Sequence, residues 1–171
     1  MKKTKVMIII IGLIIILSWS VRVYYVNKGI AKEYDIKTYQ LDDTISFGNA
    51  NFRITKMTLG TPKEENNQTY IPLSIEMDIE NTSSSDISVI KLIESKLAYN
   101  QLYYQTNEGQ FDTERLRTLP PNQKETLTLT YQIDTQHKQE RPTLYIDQSL
   151  YRDLVLQEYQ MGKRLGIAIK L

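Results

Sequence analysis

The sequence predicts an all-β domain, an antiparallel β-sandwich, carried behind one N-terminal helix that crosses a membrane. Three observations lead there. Residues 6–17 contain no charged or hydrogen-bonding side chain. From about residue 38 onward, apolar residues recur at every second position in several short segments, the period of a strand with one buried face. Turn-forming clusters of Asn, Asp, Ser, Pro and Gly separate those segments, which favours a sandwich over βαβ units. A chain of 171 residues, 41 % hydrophobic and 24 % charged, suits one globular domain plus its termini and can bury a core without disulfide staples.

The helix comes first. Val6 to Leu17 is continuously apolar, and Ser18, Trp19, Ser20 and Val21 bring the uncharged run to 16 residues. Arg22 interrupts it, and Val23, Tyr24, Tyr25 and Val26 complete a 21-residue span, 6–26. As a helix this reaches about 30 Å, the thickness of a hydrocarbon core. Arg22 stands where its stem reaches headgroups, and Trp19, Tyr24 and Tyr25 stand where an aromatic belt lies. Lys2, Lys3 and Lys5 precede the span, so the positive-inside bias keeps the N-terminus in the cytoplasm and puts the domain outside the cell membrane. The expected organisation is a cytoplasmic tip and anchor over 1–28, a connector over 29–37 and an extracellular sandwich over 38–171. The alternative is a cleaved signal peptide. The 12-residue apolar core and the small residues Ser18 and Ser20 also meet that pattern, and cleavage would release a secreted effector or immunity protein.

The strands follow in order. Ile45 and Phe47 make a short strand, Gly48 to Asn51 a turn, and Phe52 and Ile54 open the next strand. The apolar phase then moves to Met57 and Leu59, which predicts a bulge near Thr55–Lys56, because one extra residue reverses the facing of all that follow. Thr61–Gln68 reads as a mobile hairpin connection. Ile71, Leu73, Ile75, Met77 and Ile79 alternate with mostly polar neighbours, and Pro72 points to a first strand position or a sheet edge. Asn81 to Asp86 supplies turn chemistry. Ile87–Tyr104 favours two strands with a turn near Asn100-Gln101, although a helix through Val89, Ile93 and Leu97 also fits. Leu119-Pro-Pro-Asn-Gln123 is a rigid turn before Leu127, Leu129, Tyr131 and Ile133, which alternate with Thr126, Thr128, Thr130 and Gln132. Thr143–Ile146 is a further candidate strand. Ser149–Met161 fits a helix capped by Asp147 or Ser149 and stopped by Gly162, with nothing to choose it over irregular chain. Leu165, Ile167, Ile169 and Leu171 alternate in a last strand.

Composition removes several chemistries. The chain has no cysteine, hence no disulfide, thiolate metal site, Cys nucleophile or lipidated Cys. Five of its 21 basic residues, and none of its 20 acids, lie in 1–28, so 29–171 holds 16 bases and 20 acids, a formal charge of −4. An acidic domain is a poor nucleic-acid binder. The single histidine, His137, stands in a polar stretch and reads as a solvated loop residue with no second ligand or orienting partner marked. Ser88-Val-Ile-Lys91 matches a Ser-x-x-Lys pair, but no companion motif accompanies it. Asp42-Asp43, Glu64-Glu65 and Glu76, Asp78, Glu80 are carboxylate pairs of the kind a cell-wall hydrolase or a calcium site needs, and a polar strand face explains them more simply. Arg115 and Arg117 read as a solvated strand face. No phosphate or dinucleotide loop is present. The reading therefore assigns no catalytic residue, no metal and no cofactor. Tyr99, Tyr103 and Tyr104 are the candidate protein-contact residues, since tyrosines bring large area at low entropic cost; a core role fits them equally.

Ile45-Ser-Phe47 and Phe52-Arg-Ile54 as an opening hairpin, Leu73–Ile79 running into Glu80-Asn-Thr-Ser83, and Leu119-Pro-Pro-Asn122 leading into Thr126–Ile133 form a pattern over residues 38–171. It resembles the immunoglobulin-like domain of uncharacterised lipoproteins and membrane-anchored proteins of Gram-positive bacteria, a domain similar in fold to a small secreted mycobacterial antigen. The Ile-, Lys-, Asn- and Tyr-rich usage fits a low-GC bacterium. The chain departs from that family in lacking the lipid-carrying cysteine and in a longer, more charged segment after Ile146. The resemblance implies a non-enzymatic envelope module that binds another cell-envelope protein, with no catalytic residues to carry over.

Overall fold

The computed structural model describes residues 2–171, with side chains described except at 2–4 and 107. The side chains of Lys2 and Lys3, on which the expected orientation partly rests, thus lie outside the described residues. The helix α1 (Lys2–Asn27) includes a 23-residue apolar span, Lys5–Asn27, whose side chains are all unburied by the rest of the chain. Gly29 ends it at φ +88°, the left-handed conformation that closes a helix and that glycine adopts without a Cβ penalty.

Eleven strands follow: β1 (Glu33–Gln40), β2 (Ile45–Ser46), β3 (Ala50–Leu59), β4 (Lys63–Glu65), β5 (Gln68–Asn81), β6 (Lys96–Tyr99), β7 (Leu102–Tyr104), β8 (Thr106–Gln110), then the short helix α2 (Thr113–Arg117), β9 (Lys124–Asp134), β10 (Thr143–Tyr145), the helix α3 (Arg152–Gln160) and β11 (Lys163–Lys170). They form two sheets. One has the order β2-β3-β5-β9-β8, with β4 also paired to β5; the other has the order β1-β11-β10-β6-β7. The β-sandwich behind an N-terminal apolar helix is therefore present.

The six-stranded sheet is built on β5. Ile71, Leu73, Ile75 and Met77 lie opposite Ile133, Tyr131, Leu129 and Leu127 of β9, and all eight are buried. On the other edge Phe52, Ile54, Met57 and Leu59 lie opposite Ile79, Met77, Ile75 and Leu73. The register slips between Ile54 and Lys56, so the predicted bulge is there and returns Met57 and Leu59 to the core-facing side. Asn66 and Asn67 both take positive φ, 52° and 61°, as a two-residue hairpin turn between β4 and β5 requires. Asn81 is buried at the end of β5. Its amide nitrogen donates to the carbonyls of Ser85 and Leu119, and its oxygen accepts from the amide and hydroxyl of Ser83.

Four expectations are corrected. Pro72 lies on a central strand, opposite Gln132. Its carbonyl accepts from Gly60 N at 2.8 Å; its own nitrogen points to that same edge, in the gap where β3 has ended and β4 has not begun. The missing donor is thus not needed there. The sandwich is not wholly antiparallel, because β1 and β11 pair in parallel over Glu33–Gln40 and Lys163–Lys170. Since β1 starts at Glu33, the connector expected over 29–37 shrinks to the residues before it. In 87–104, the hairpin around Asn100-Gln101 forms, but Ile90–Glu94 is a 3-10 turn instead of a strand. Asp147 caps the 3-10 turn Gln148–Tyr151 that leads into α3, and Gly162 ends the helical segment at φ +84°.

Candidate functional site

The core face of the five-stranded sheet carries Leu165, Ile167 and Ile169 of β11, Leu144 of β10, and Leu97 and Tyr99 of β6. Adjacent strand residues point to opposite faces, so the neighbours of these residues define the outer face: Arg164, Gly166 and Ala168 on β11, Tyr145 on β10, Ala98 on β6. By register Tyr34 and Ile36 of β1 lie beside Arg164 and Gly166, and Tyr103 of β7 lies beside Ala98.

This geometry separates the three candidate tyrosines. Tyr99 is 2 % exposed and belongs to the core. Tyr104 is half-buried on the same face and meets Tyr99 edge-on at 6.0 Å. Tyr103 alone faces outward, 61 % exposed, with its ring 6.2 Å from that of Tyr145. The three therefore do not form one contact surface, and Tyr99 is corrected to a packing residue. Two consecutive tyrosines on one strand have to part to opposite faces, so the period already carried this signal.

His137 is also corrected. It is 5 % exposed, not solvated. Its ring stacks on Tyr99 at 4.4 Å and meets Tyr104 edge-on at 5.9 Å. Nδ1 lies 3.1 Å from a Glu140 carboxylate oxygen, and Nε2 lies 3.4 Å from the Gln136 side-chain nitrogen. One neutral tautomer satisfies both, with Nδ1–H donating to Glu140 and Nε2 accepting from Gln136. The turn after β9 thereby clamps the β6–β7 hairpin. Burial first, then Tyr104 and Glu140, push the Tyr99 hydroxyl up to about 12.

The other sequence candidates are occupied in local structure. Asp78 accepts from Thr126 Oγ1 at 2.8 Å and pairs with Arg53 at 3.6 Å, and Glu76 meets Thr55 Oγ1 at 3.3 Å. Lys91 of the Ser-x-x-Lys match is paired with Glu94. Arg115 and Arg117 sit on α2, not on a strand, with Arg115 3.4 Å from Glu125.

What the outer face offers is apolar and aromatic area. Tyr34 is 70 % exposed and Ile36 50 %. The Arg164 guanidinium carbon lies 5.3 Å from the Tyr34 ring centre, and Arg164 donates to the Tyr34 hydroxyl at 2.9 Å. Between this strip and α3 runs a groove of about 440 Å³ lined by Tyr34, Ile36, Tyr145, Val155, Tyr159 and Arg164, among others. Gly166, Ala168 and Ala98 keep the middle of the face low, and the rings stand at its sides. The sequence singles out neither Tyr34 nor Ile36, because both fall in the connector expected over 29–37.

The fold has solved counterparts. An uncharacterised β-sandwich protein from Clostridium difficile superposes with a TM-score of 0.54 at 12 % identity, covering 82 % of this chain and 98 % of the other. The yjhA protein of Bacillus subtilis superposes with a TM-score of 0.50 at 22 % identity, covering 78 % and 98 %. At such identities the likeness is one of fold, to β-sandwich proteins of Gram-positive bacteria, as the resemblance implied. No family model matches the chain, and no curated protein matches its sequence. The helix α1 is long and apolar enough to cross a membrane, and its place near the N-terminus suits a signal sequence equally.

Proposed function

We propose that the protein is a membrane-anchored, non-catalytic module of the cell envelope, held outside the membrane by α1, and that it docks another envelope protein on the outer face of its five-stranded sheet. The observation that carries this reading is the exposure of Tyr34, Ile36 and Tyr103 on one sheet face. Exposed apolar patches rimmed by polar groups mark interaction surfaces, and tyrosine anchors bring large area for few frozen torsions. Among the described residues, the outward positions of the opposite sheet are mostly polar or charged, with Ser74 and Thr130, Thr126 and Asp78, and Arg53 and Asp78 joined across strands. Positively charged Lys5 at the start of α1 supports a cytoplasmic N-terminus.

Site-specific photo-crosslinking in intact cells tests it. A crosslinker at position 103 or 36 is expected to capture one recurrent envelope protein, and one at Thr128 on the other sheet is not. Equal capture from both faces, or none from position 103 and 36 in a membrane-retained chain, overturns the docking face.

A further inference from the structure

We infer that the turn joining α3 to β11 rests in the headgroup layer of the membrane that α1 crosses, with Met161 as its apolar contact and Lys28 and Lys32 on lipid phosphates. This rests on the anchor reading above, and adds a lipid-facing surface that adjoins the Tyr34 end of the sheet face.

The chain between helix and sandwich is short and tied down. Lys28 N still donates to Tyr24 O at 2.9 Å, and Ile30 N to Asn27 O at 3.4 Å. Ala31 is fully buried, and its carbonyl accepts from Arg164 Nε at 2.8 Å. Lys32 N and Glu33 N both approach Gly162 O, at 3.1 and 3.4 Å. The Met161–Gly162 turn is thus bonded to the chain five residues beyond the end of α1. Five extended residues reach at most about 18 Å, and the bonds at Lys28 and Ile30 shorten that.

The apolar span of α1 has 23 residues, about 34 Å of helix against a hydrocarbon core of about 30 Å. Its end therefore lies at the boundary of the core, and headgroups continue for roughly 5–7 Å beyond. Lys28 emerges into that layer, and the turn bonded to Lys32 and Glu33 is tethered beside it by a connection of at most about 18 Å.

The side chains suit the place. Met161 is 65 % exposed at the tip of the turn, an unbranched apolar group outside the core cluster. Lys28 and Lys32 are exposed, and long basic side chains reach lipid phosphates from just above the core. Of the acids nearby, Asp35 is drawn toward Lys163 at 3.8 Å, which leaves Glu33 and, in the last turn of α3, Glu158 against the two lysines. A bilayer is the occupant that the chain's own continuity delivers to this turn; a protein partner would have to displace it.

The absence of cysteine makes the test clean. Full-length protein carrying M161C is labelled with an environment-sensitive fluorophore and reconstituted in phosphatidylcholine–phosphatidylglycerol vesicles containing a headgroup-region nitroxide lipid. K170C, exposed at the other end of β11, is the reference. Quenching at position 161 is expected to exceed that at 170 severalfold, and K28E/K32E in the M161C chain is expected to reduce it while circular dichroism stays unchanged. Equal quenching at 161 and 170 in a chain that survives alkaline carbonate washing overturns the inference and leaves the anchor standing. Unchanged quenching in K28E/K32E overturns the phosphate contact. A chain that washes off the vesicles overturns the anchor reading, and the inference with it.

Discussion

The two sheets of this sandwich share one core and differ in what they turn outward. Outside the six-stranded sheet, Ser74 and Thr130 bond across strands at 3.0 Å, Thr126 bonds Asp78, and Arg53 pairs with Asp78. Outside the five-stranded sheet, Tyr34, Ile36, Tyr103 and Tyr145 flank Gly166, Ala168 and Ala98. Cross-strand polar pairs are stable against water, each contributing a fraction of a kcal/mol. Exposed rings and an isoleucine gain little from water and gain free energy when covered. The comparison teaches where to look for a partner: the sheet whose outward side chains leave apolar area uncovered.

The largest expected effect falls on the core both sheets share. Ile75→Ala, fully buried between Met57 and Leu129 in register, is expected to lower stability by about 2–5 kcal/mol, read by urea denaturation. It should also weaken crosslinking from the aromatic face, because both faces depend on one core. A chain that kept its stability would show that the two sheets pack less closely than the fold requires.

Next come two glycines that split the sheets. A Cβ at Gly109 would stand 2.5 Å from the Phe111 ring and 2.6 Å from Thr128 O. Gly109→Ala is therefore expected to lose about 1–3 kcal/mol, with faster amide exchange along β8. At Gly166 the nearest atom, Ile36 Cγ1, is 3.5 Å away, an ordinary contact. Gly166→Ala should fold normally, within about 0.5 kcal/mol of the parent. Equal losses at both sites would break the contrast.

A smaller effect belongs to the cap beneath α3. Partial burial pulls the Asp147 carboxyl upward, but the Ser149 hydroxyl and amide, with Lys91 and Lys96, outweigh it and hold it below its ordinary 3.8. A depressed carboxylate adds stability that is complete above the unfolded value and is lost as pH falls through the lower folded one. Asp147→Ala should cost about 1 kcal/mol at neutral pH and flatten the stability profile below pH 3.8, measured by denaturant midpoints across pH.

The smallest effect on stability is expected at Tyr103. Tyr103→Ser should stay within about 0.5 kcal/mol while losing most of the partner captured from the aromatic face. Intact capture would move the contact away from the five-stranded sheet.

Much of the six-stranded sheet was legible because period two survives in long strands. Ile71 to Ile79 and Leu127 to Ile133 alternate without a break, and the phase change at Thr55 can only be a bulge if Met57 keeps to the inner side, where it packs against the core. The aromatic face was half legible. Tyr103 was singled out, and its adjacency to Tyr104 already implied opposite facing. Tyr34 and Ile36 were missed because β1 has few apolar residues and takes its place only by pairing with β11, some 130 positions away, as the Arg164–Tyr34 bond records. His137 was missed because its neighbours Gln136, Lys138 and Gln139 are polar, while the rings that bury it come from β6 and β7.

The sequence by itself determined the apolar helix, the strand periods, the turn site at Asn100-Gln101, and the bulge, because these follow from local dihedral preference and from side-chain alternation; the strand β4 and its Asn66-Asn67 turn, inside a stretch that reads as a mobile connection, appear only in the structure. Tertiary structure decided which strands became neighbours, that the first and last pair in parallel, that His137 is buried, and which outward face carries the rings. Those depend on contacts between residues far apart in the chain, where closing the loop costs entropy that only the assembled core offsets.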